Sequence, residues 1–423
     1  VMSFHGEEIV NISRDFLDTN GVRGLQDVLI REGLSDTDPF HSKVTSVEEN
    51  LKQPNVASQI GLAEMFDASI GKSTVLMPFG GKYQLTETEG SVQKLPVFGF
   101  TNTCSIMTHG YHPELSLCSP YLGASYSVVE ALARVTAMGG NYETCRLTNQ
   151  EYFERLHTDP EKWGKPMQAL LGLIEAEMAF ETPAIGGKDS MSGTFNDISV
   201  PPTLITFAVT TEKTEHIISP EFKEAGHHIY YIKHTPNDNQ TPNYEELKAN
   251  FAKVRELIRK GVICSAATVK FGGLAEALCK MSFGNKIGVE VKTSEHIFDL
   301  SIGSIVVESS EAIYDEAFVL LGKTTDADTI CINEECITID KAITAWCERY
   351  NTMYPMTVDQ EKGVIETPEY TANERVHAKK TIDKPKVIIP VFPGQNCEYD
   401  TKQQFERAGA EAEIYVFNNL NVE

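Results

Sequence analysis

The chain has 423 residues, 41% hydrophobic and 23% charged, an ordinary globular composition that excludes a disordered or fibrous class. At roughly 100–200 residues per domain it has room for two to four cores. Sixty acids against 37 bases give a net charge of −23, a field that repels nucleic acid and anionic membranes but leaves open a phosphate held at short range by a cation and backbone amides.

Val1 is not an initiator methionine and Asn421-Val422-Glu423 carries no helix-ending signal, so both ends are expected to be cuts in a longer polypeptide. Residues 46–68 have helical spacing and read as a linker running into a domain that opens with Thr74-Val75-Leu76-Met77 and a Pro78-Phe79-Gly80-Gly81 turn. A strand is predicted over Val97–Met107, then a helix over Ser125–Met138 ending at Gly139-Gly140, and a second helix over 164–180 closed by Thr182-Pro183. Gly186–Asp197 is predicted to be a loop, and the continuous β-branched run Thr203–Val209 a buried strand closing the first domain. A second α/β pattern follows: strand His228–Lys233, helix Tyr244–Lys260, a short segment Val262–Val269, helix Leu274–Met281, and strands Ile287–Val291 and Ile302–Val307. The acidic, lysine-containing segment Asp359–Lys384 reads as a linker. Lys386–Val391, a helix near Thr401–Gly409 and Ala412–Phe417 then open a parallel β-α-β unit. One faint repeat matches Glu7-Glu8-Ile9-Val10-Asn11-Ile12-Ser13-Arg14 to Glu334-Glu335-Cys336-Ile337-Thr338-Ile339-Asp340-Lys341, which would make 1–20 the tail of a preceding copy.

Nine cysteines, at 104, 118, 145, 264, 279, 331, 336, 347 and 397, form no CxxC pair, so no zinc or redox motif is read from them. Their odd number without a framework points to a reducing cytoplasm. No apolar run approaches the ~18–20 residues of a membrane span, and residues 1–30 lack a leader's basic start and apolar core.

Chemistry is most concentrated in Ala184-Ile185-Gly186-Gly187-Lys188-Asp189-Ser190-Met191-Ser192-Gly193. Its glycines allow close backbone approach, and its lysine and hydroxyls suit a phosphate-bearing ligand, although the spacing is not that of a Walker A loop. A connection between a helix and a strand is equally well read as a turn. Gly272-Gly273 at a helix start is either an anion site or a point of tight packing. Glu130 could bind Mg²⁺ or pair with Arg134 one turn on. His109 and His112 lack partners at ligand spacing, and no histidine follows Cys397 to activate it as a nucleophile.

In order along the chain, Thr74–Tyr83, Thr103-Cys104-Ser105, Ser119–Ala124, Val128–Ala131, Gly186–Ser192, Pro201-Pro202-Thr203, Gly272–Ala275 and Pro393–Asp400 resemble the landmarks of phosphoribosylformylglycinamidine synthase, in the long form with its glutaminase on the same polypeptide. The resemblance implies an α/β (α+β), aminoimidazole-ribotide-synthetase-like two-domain unit. Residues 21–60 would be a linker, 61–213 a ferredoxin-like N-terminal-type domain, 214–365 an α/β C-terminal-type domain, 366–384 a second linker, and 385–423 the first strands of a class I glutamine amidotransferase domain.

It also implies ATP and Mg²⁺ as cofactors, small-molecule substrates, and the remainder of the same polypeptide, its first synthetase half and glutaminase, as partners, with no catalytic residue expected within this chain and no activity alone. Carried over by motif, Gly186, Gly187, Lys188, Asp189, Ser190, Thr103, Arg134, Gly272 and Gly273 would bind nucleotide or substrate, and Glu130 a metal. This sequence departs from the family pattern where Arg134 replaces an asparagine, where no acid stands near Thr103, and where an Asp-x-Ser-Asp run reads Thr268-Val269-Lys270-Phe271. That puts an auxiliary Mg-nucleotide in doubt and leaves Arg134 or Lys270 to supply the missing positive charge. A non-catalytic scaffold and another ATP enzyme of the same fold are the rival readings.

Overall fold

The computed structural model describes residues 1–14, 16, 25–31, 34, 38–66, 73–97, 99–357, 371, 373–374 and 377–418. The expectations for Asp67, for most of 15–24, for 358–370 and for the three terminal residues lie outside the described residues. The chain divides into a large unit, Val1–Leu95 with Thr101–Thr357, and a small one, Pro96–Phe100 with Val358–Glu423.

The large unit holds two sheets. Six strands form the first: β1 Thr74–Leu76, β2 Ser91–Lys94, β3 Thr103–Gly110, β4 Arg146–Tyr152, β5 Ala184–Lys188 and β6 Thr203–Lys213, in the order β1-β2-β3-β6-β4-β5. Only the β4–β5 pair is parallel. Alternate residues of β3 (Cys104, Ile106, Thr108) and β6 (Leu204, Thr206, Ala208) turn inward beneath helix α1, Pro120–Ala137. Two hydroxyl contacts fix its seat, Thr108 Oγ1 to the Ala131 carbonyl at 2.7 Å and Ser127 Oγ to Thr206 Oγ1 at 2.7 Å.

Helix α1 begins five residues before the predicted Ser125 because Ser119 caps it, accepting from Leu122 N, with Pro120 at the first helical position. Helix α2, Pro160–Phe180, likewise begins earlier than 164, since Asp159 accepts from the amides of Glu161 and Lys162. The two helices cross closely: a Cβ on Gly172 would lie 2.1 Å from the Tyr121 carbonyl oxygen. Strand β3 runs from Thr103 to Gly110, shifted from the predicted Val97–Met107.

Seven strands form the second sheet: β7 His228–Ile232, β8 Ile263–Thr268, β9 Gly288–Val291, β10 Ile305–Ser309, β11 Val319–Thr325, β12 Thr329–Ile332 and β13 Glu335–Thr338, ordered β8-β10-β7-β11-β9-β12-β13. Helix α3, Tyr244–Arg259, turns Leu247, Phe251, Val254 and Ile258 inward at helical spacing. They join one core with Val128 and Leu132 of α1 and Tyr230 and Ile305 of the second sheet, so residues expected to form separate domains share a single apolar interior. Helix α4, Gly273–Phe283, is buried on every side and anchors a second core with α5, Ile339–Glu348, and its fully buried Trp346.

The expected linker 21–60 is corrected at its C-terminal end. Val47, Leu51, Val56 and Ile60 are buried in the second core, and Trp346 Nε1 donates to the Val56 carbonyl at 3.0 Å. The single predicted helical stretch 46–68 is two short helices, Val47–Leu51 and Ile60–Ala63, separated by a turn containing Pro54. The cysteine reading is also corrected: Cys331 and Cys336 stand directly opposite one another across the β12–β13 hairpin and are joined by a disulfide, a close cross-strand pair that no CxxC search detects. The faint repeat has a structural counterpart. Met2–Phe4 and Glu7–Val10 form a hairpin that pairs Phe4 with Glu7, as β12 and β13 pair Ile332 with Glu335, so the hairpins match with Glu7 on Glu335, one residue out of the register read from the sequence.

In the small unit β14, Lys386–Val391, and β15, Glu411–Val416, pair in parallel and are joined through α6, Glu398–Arg407.

Candidate functional site

Apart from Thr103, the predicted site residues fall into three places. Thr103 opens β3 and accepts from Lys213 Nζ at 2.8 Å. Gly187 faces Asn149 on β4, which faces Thr206 on β6, itself opposite Gly110. Thr103 and Gly187 are thus three strands and seven residues apart, roughly 25–30 Å at ordinary strand spacings. They do not form one site.

Residues 186–188, the start of the loop predicted over Gly186–Asp197, belong instead to the exposed edge strand β5. Gly186 and Gly187 do not lie in the positive-φ region. Gly187 is needed for proximity, since a Cβ there would meet the Asn149 carbonyl oxygen at 2.5 Å. Lys188 is exposed, the Ser190 and Ser192 hydroxyls are 2.8 Å apart, and Ser190 N donates to the Glu151 carbonyl at 3.1 Å. Burial, reinforced by the charge of Asp189, pushes the Glu151 carboxyl up to about 7. A group poised there can hold or release a proton near neutrality next to the Asp189 carboxylate.

Glu151 was not found from sequence, and only its burial near the charge of Asp189 reveals it. Because its folded-state value lies above the ordinary 4.5, Glu151 weakens the fold progressively as pH rises from about 4.5 to about 7. Glu151→Gln is therefore expected to flatten the fall in melting temperature across that window, and an unchanged pH profile would contradict the assignment.

The second place is a buried charge seam between α1 and the second sheet. Arg134 Nη2 contacts Glu130 Oε1 at 2.5 Å, and its Nε lies 3.9 Å from Glu89 Oε2. Lys270 Nζ reaches Glu89 Oε1 at 3.3 Å, while Thr268 donates to Glu89 from its amide at 2.9 Å and its hydroxyl at 2.8 Å. Burial alone would raise the Glu89 carboxyl, but Lys270, Arg134 and the Thr268 bonds outweigh it and hold it below the usual carboxylate range. Next to it Lys280, on α4, bridges Glu276 at 2.8 Å and Glu87 at 2.6 Å.

Glu130 does not fit a magnesium ion here. Its Oε1 is held by Arg134 and its Oε2 accepts from Tyr111 N at 3.1 Å, so a metal would have to displace both. Arg134 and Lys270 both lie on Glu89, the positive charges expected from the sequence, around a carboxylate that sequence reasoning missed.

The third place is a cleft beside Gly272. A cavity of about 400 Å³ is bounded by 38–44 and 49–56 on one side and by His112, Phe271 and Gly272 on the other. The His112 ring stacks on Phe271 with centroids 3.8 Å apart, and burial pushes its imidazole down to about 4, so it is neutral. Gly272 (φ 80°) and Gly273 (φ 65°) serve packing: a Cβ on Gly273 would lie 2.5 Å from the Ile297 carbonyl oxygen, and Asn50 Nδ2 donates to the Gly272 carbonyl at 2.8 Å. Lys270 on the seam and Phe271 in the cleft are adjacent residues, which makes the two places neighbours.

A sheet backed by two helices, fused to a second mixed sheet around a buried helix, is the two-domain plan of the aminoimidazole-ribotide-synthetase-like class. Within that class the chain is similar to the PurL synthetases of phosphoribosylformylglycinamidine synthase. The PurL subunit of Methanocaldococcus jannaschii is 24% identical over 327 residues, covering 70% of this chain and 42% of that protein. That of Lacticaseibacillus paracasei is 25% identical over 279 residues, 62% of this chain and 36% of that protein. Thermotoga maritima PurL complexed with FGAR superimposes with a TM-score of 0.53 at 12% identity, covering 78% of this chain and 57% of that one. The same protein complexed with ADP gives 0.51 at 13%, covering 86% and 58%. These likenesses show the fold. The chain spans less than half the length of the two curated relatives, and no family model matches it.

Proposed function

We propose that this chain is the second synthetase-type half of a phosphoribosylformylglycinamidine synthase and acts only with the rest of that enzyme. The observation that carries this reading is the PurL likeness over 327 residues, with landmark motifs in the family's order. In the assigned reaction the γ-phosphoryl group of ATP passes to the glycinamide carbonyl oxygen of formylglycinamide ribonucleotide, the formyl group staying in place, and ADP is released. Ammonia, released from glutamine, adds to the activated carbon, and the C–O bond breaks with phosphate as leaving group to give the amidine. Within this chain Lys188, with the Ser190 and Ser192 hydroxyls, is the candidate for phosphate contact at the sheet edge, and Asp189 and Glu151 are the candidates for proton handling in the same segment. The catalytic constellation is assigned to the partner half, and the β14-α6-β15 unit to the start of the glutaminase. Such an ATP-dependent biosynthetic ligase belongs in the cytoplasm. Among the described residues no helix is long and apolar enough to cross a membrane.

The outer face of the first sheet supports a missing partner. Met107 opposite Val209 and His109 opposite Phe207 stand on the side of the sheet away from α1, with Met107 49% and Val209 41% exposed. An apolar sheet face left open in this way marks an interaction surface, and the first synthetase half is the occupant this reading assigns.

Calorimetric titration with Mg-ATP and Mg-ADP tests the edge site. The expected result is saturable binding that Lys188→Ala weakens by about tenfold or more, the loss of one charge-assisted phosphate contact. One observation favours the scaffold reading, the seam's salt bridges where metal ligands were expected. That reading predicts no heat of binding in the intact chain.

A further inference from the structure

We propose that His227, Cys264 and Glu308 form a zinc site at one end of the second sheet, separate from the seam, the cleft and the sheet edge. Three adjacent strands bring the residues together. Cys264 lies in β8 and Glu308 in β10, while His227 immediately precedes β7, and β10 runs between the other two. The pairing of β8 with β10 slips between Ile263 and Ser265, opposite Ser309 and Glu308, which leaves Cys264 as the extra, bulged residue. A bulge re-aims one side chain. Here it turns the Cys264 thiol toward His227, with Sγ 3.7 Å from Nδ1.

One ligand atom from each residue lies within 4.8 Å of the other two. Sulfur and nitrogen on a tetrahedral zinc ion stand about 3.5 Å apart, given Zn–S and Zn–N bonds of about 2.3 and 2.0 Å. The observed 3.7 Å is close to that edge. His227 Nδ1 and Glu308 Oε1, 2.8 Å apart, now share a hydrogen bond that the ion would replace by opening the pair about half an ångström. One thiolate, one imidazole and one carboxylate form a donor set suited to zinc, with the fourth position left for water.

The surroundings are those of a metal centre. Glu308 is fully buried; its Oε2 accepts from Ser265 Oγ at 3.0 Å and Lys223 N at 2.8 Å, which fixes the carboxylate plane, and its Oε1 accepts at longer range from Lys223 N at 3.1 Å and Glu224 N at 3.2 Å, contacts an ion would displace along with the His227 bond. His227 Nε2 lies 3.7 Å from Glu224 Oε2. When Nδ1 takes the metal, the ring proton sits on Nε2, and the exposed Glu224 side chain would have to move in from 3.7 Å to accept it and give the carboxylate–histidine arrangement that orients metal-bound imidazoles. The Cys264 thiol proton leaves to solvent as the Zn–S bond forms, and no electron changes hands. A search for contiguous cysteine spacing could not see this site, because its three ligands are contributed by separate strands.

The test is titration of the chain with Co²⁺ and competition by Zn²⁺. One equivalent of Co²⁺ should produce a thiolate-to-cobalt charge-transfer band in the near ultraviolet, displaced by Zn²⁺, absent in Cys264→Ser and His227→Gln, and retained in Cys397→Ser. Glu224→Gln should weaken binding by about 10–100-fold. In the unmodified chain, Zn²⁺ should also protect Cys264 from alkylation, mapped by peptide mass, a readout that does not depend on how the variants fold. A band that survives Cys264→Ser, or no band and no protection in the unmodified chain, overturns the assignment.

Discussion

Arg134→Met is expected to destabilise the large unit by about 3–5 kcal/mol, the range for removing one partner from a buried ion pair. The size follows from what is left behind. Glu130 and Glu89 are 5% and 2% exposed, and without the guanidinium one loses its 2.5 Å partner and the other half of its cationic neighbourhood. Methionine fills much of the volume, so the loss reports charge rather than a cavity. Arg134→Met combined with Glu130→Gln and Glu89→Gln should recover much of it, because the stranded charges go with their partner.

The pH dependence has a definite sign. The Glu89 carboxyl is held low in the folded chain, so its contribution is present above the unfolded value and is lost as pH falls through the folded one. In Arg134→Met the Glu89 carboxylate, having lost one of the two cations that hold it low, takes up a proton more readily, so the deficit relative to wild type should shrink on acidification. Chemical denaturation at neutral and mildly acidic pH measures both effects. A deficit under about 1 kcal/mol at neutral pH would mean that the seam behaves like a solvated surface pair.

Trp346→Ala is expected to cost about 3–5 kcal/mol, the usual range for truncating a buried aromatic. Trp346 is fully buried, its ring lies 5.3 Å from that of Phe283, and its indole is the donor that holds the Val56 carbonyl. The substitution opens a cavity, strands that carbonyl and releases residues 46–60, which wall the cleft beside Gly272. Limited proteolysis should therefore cut first between 52 and 59, before the rest of the unit unfolds. Loss of stability without new cleavage there would show that the segment is held by its other contacts, such as Asn50 to Gly272.

Much of this architecture is legible in the sequence because single elements announce it. The periodic apolar residues of α3 place it to within a residue, the β-branched run fixes the start of β6 at Thr203 although the strand runs on four residues past the predicted Val209 to Lys213, and the glycine pair after α1 marks its end. Helix starts were read late wherever a capping residue lay outside the apolar pattern, as at Ser119 and Asp159.

Parts of the candidate site were illegible for a physical reason. Glu89, Glu151 and the zinc triad acquire their character from neighbours distant in sequence, and a single acid or cysteine carries no local sign of what will bury it. The glycines of 186 and 187 read as a phosphate loop because composition cannot separate a turn from an edge strand whose backbone must pass close to Asn149. Gly272-Gly273 was open to both readings, and the carbonyls of Ile297 and Asp299 decide for packing.

The central claim is that this chain is half of a ligase acting on formylglycinamide ribonucleotide. Its most direct test is ADP release with that substrate, ATP and ammonia, which bypasses the glutaminase. The assay compares the chain alone with the chain joined to the synthetase-type half it is proposed to need. The account predicts release that depends on the ribonucleotide only in the joined form. No such release from the joined form, or full turnover by the chain alone, would contradict it.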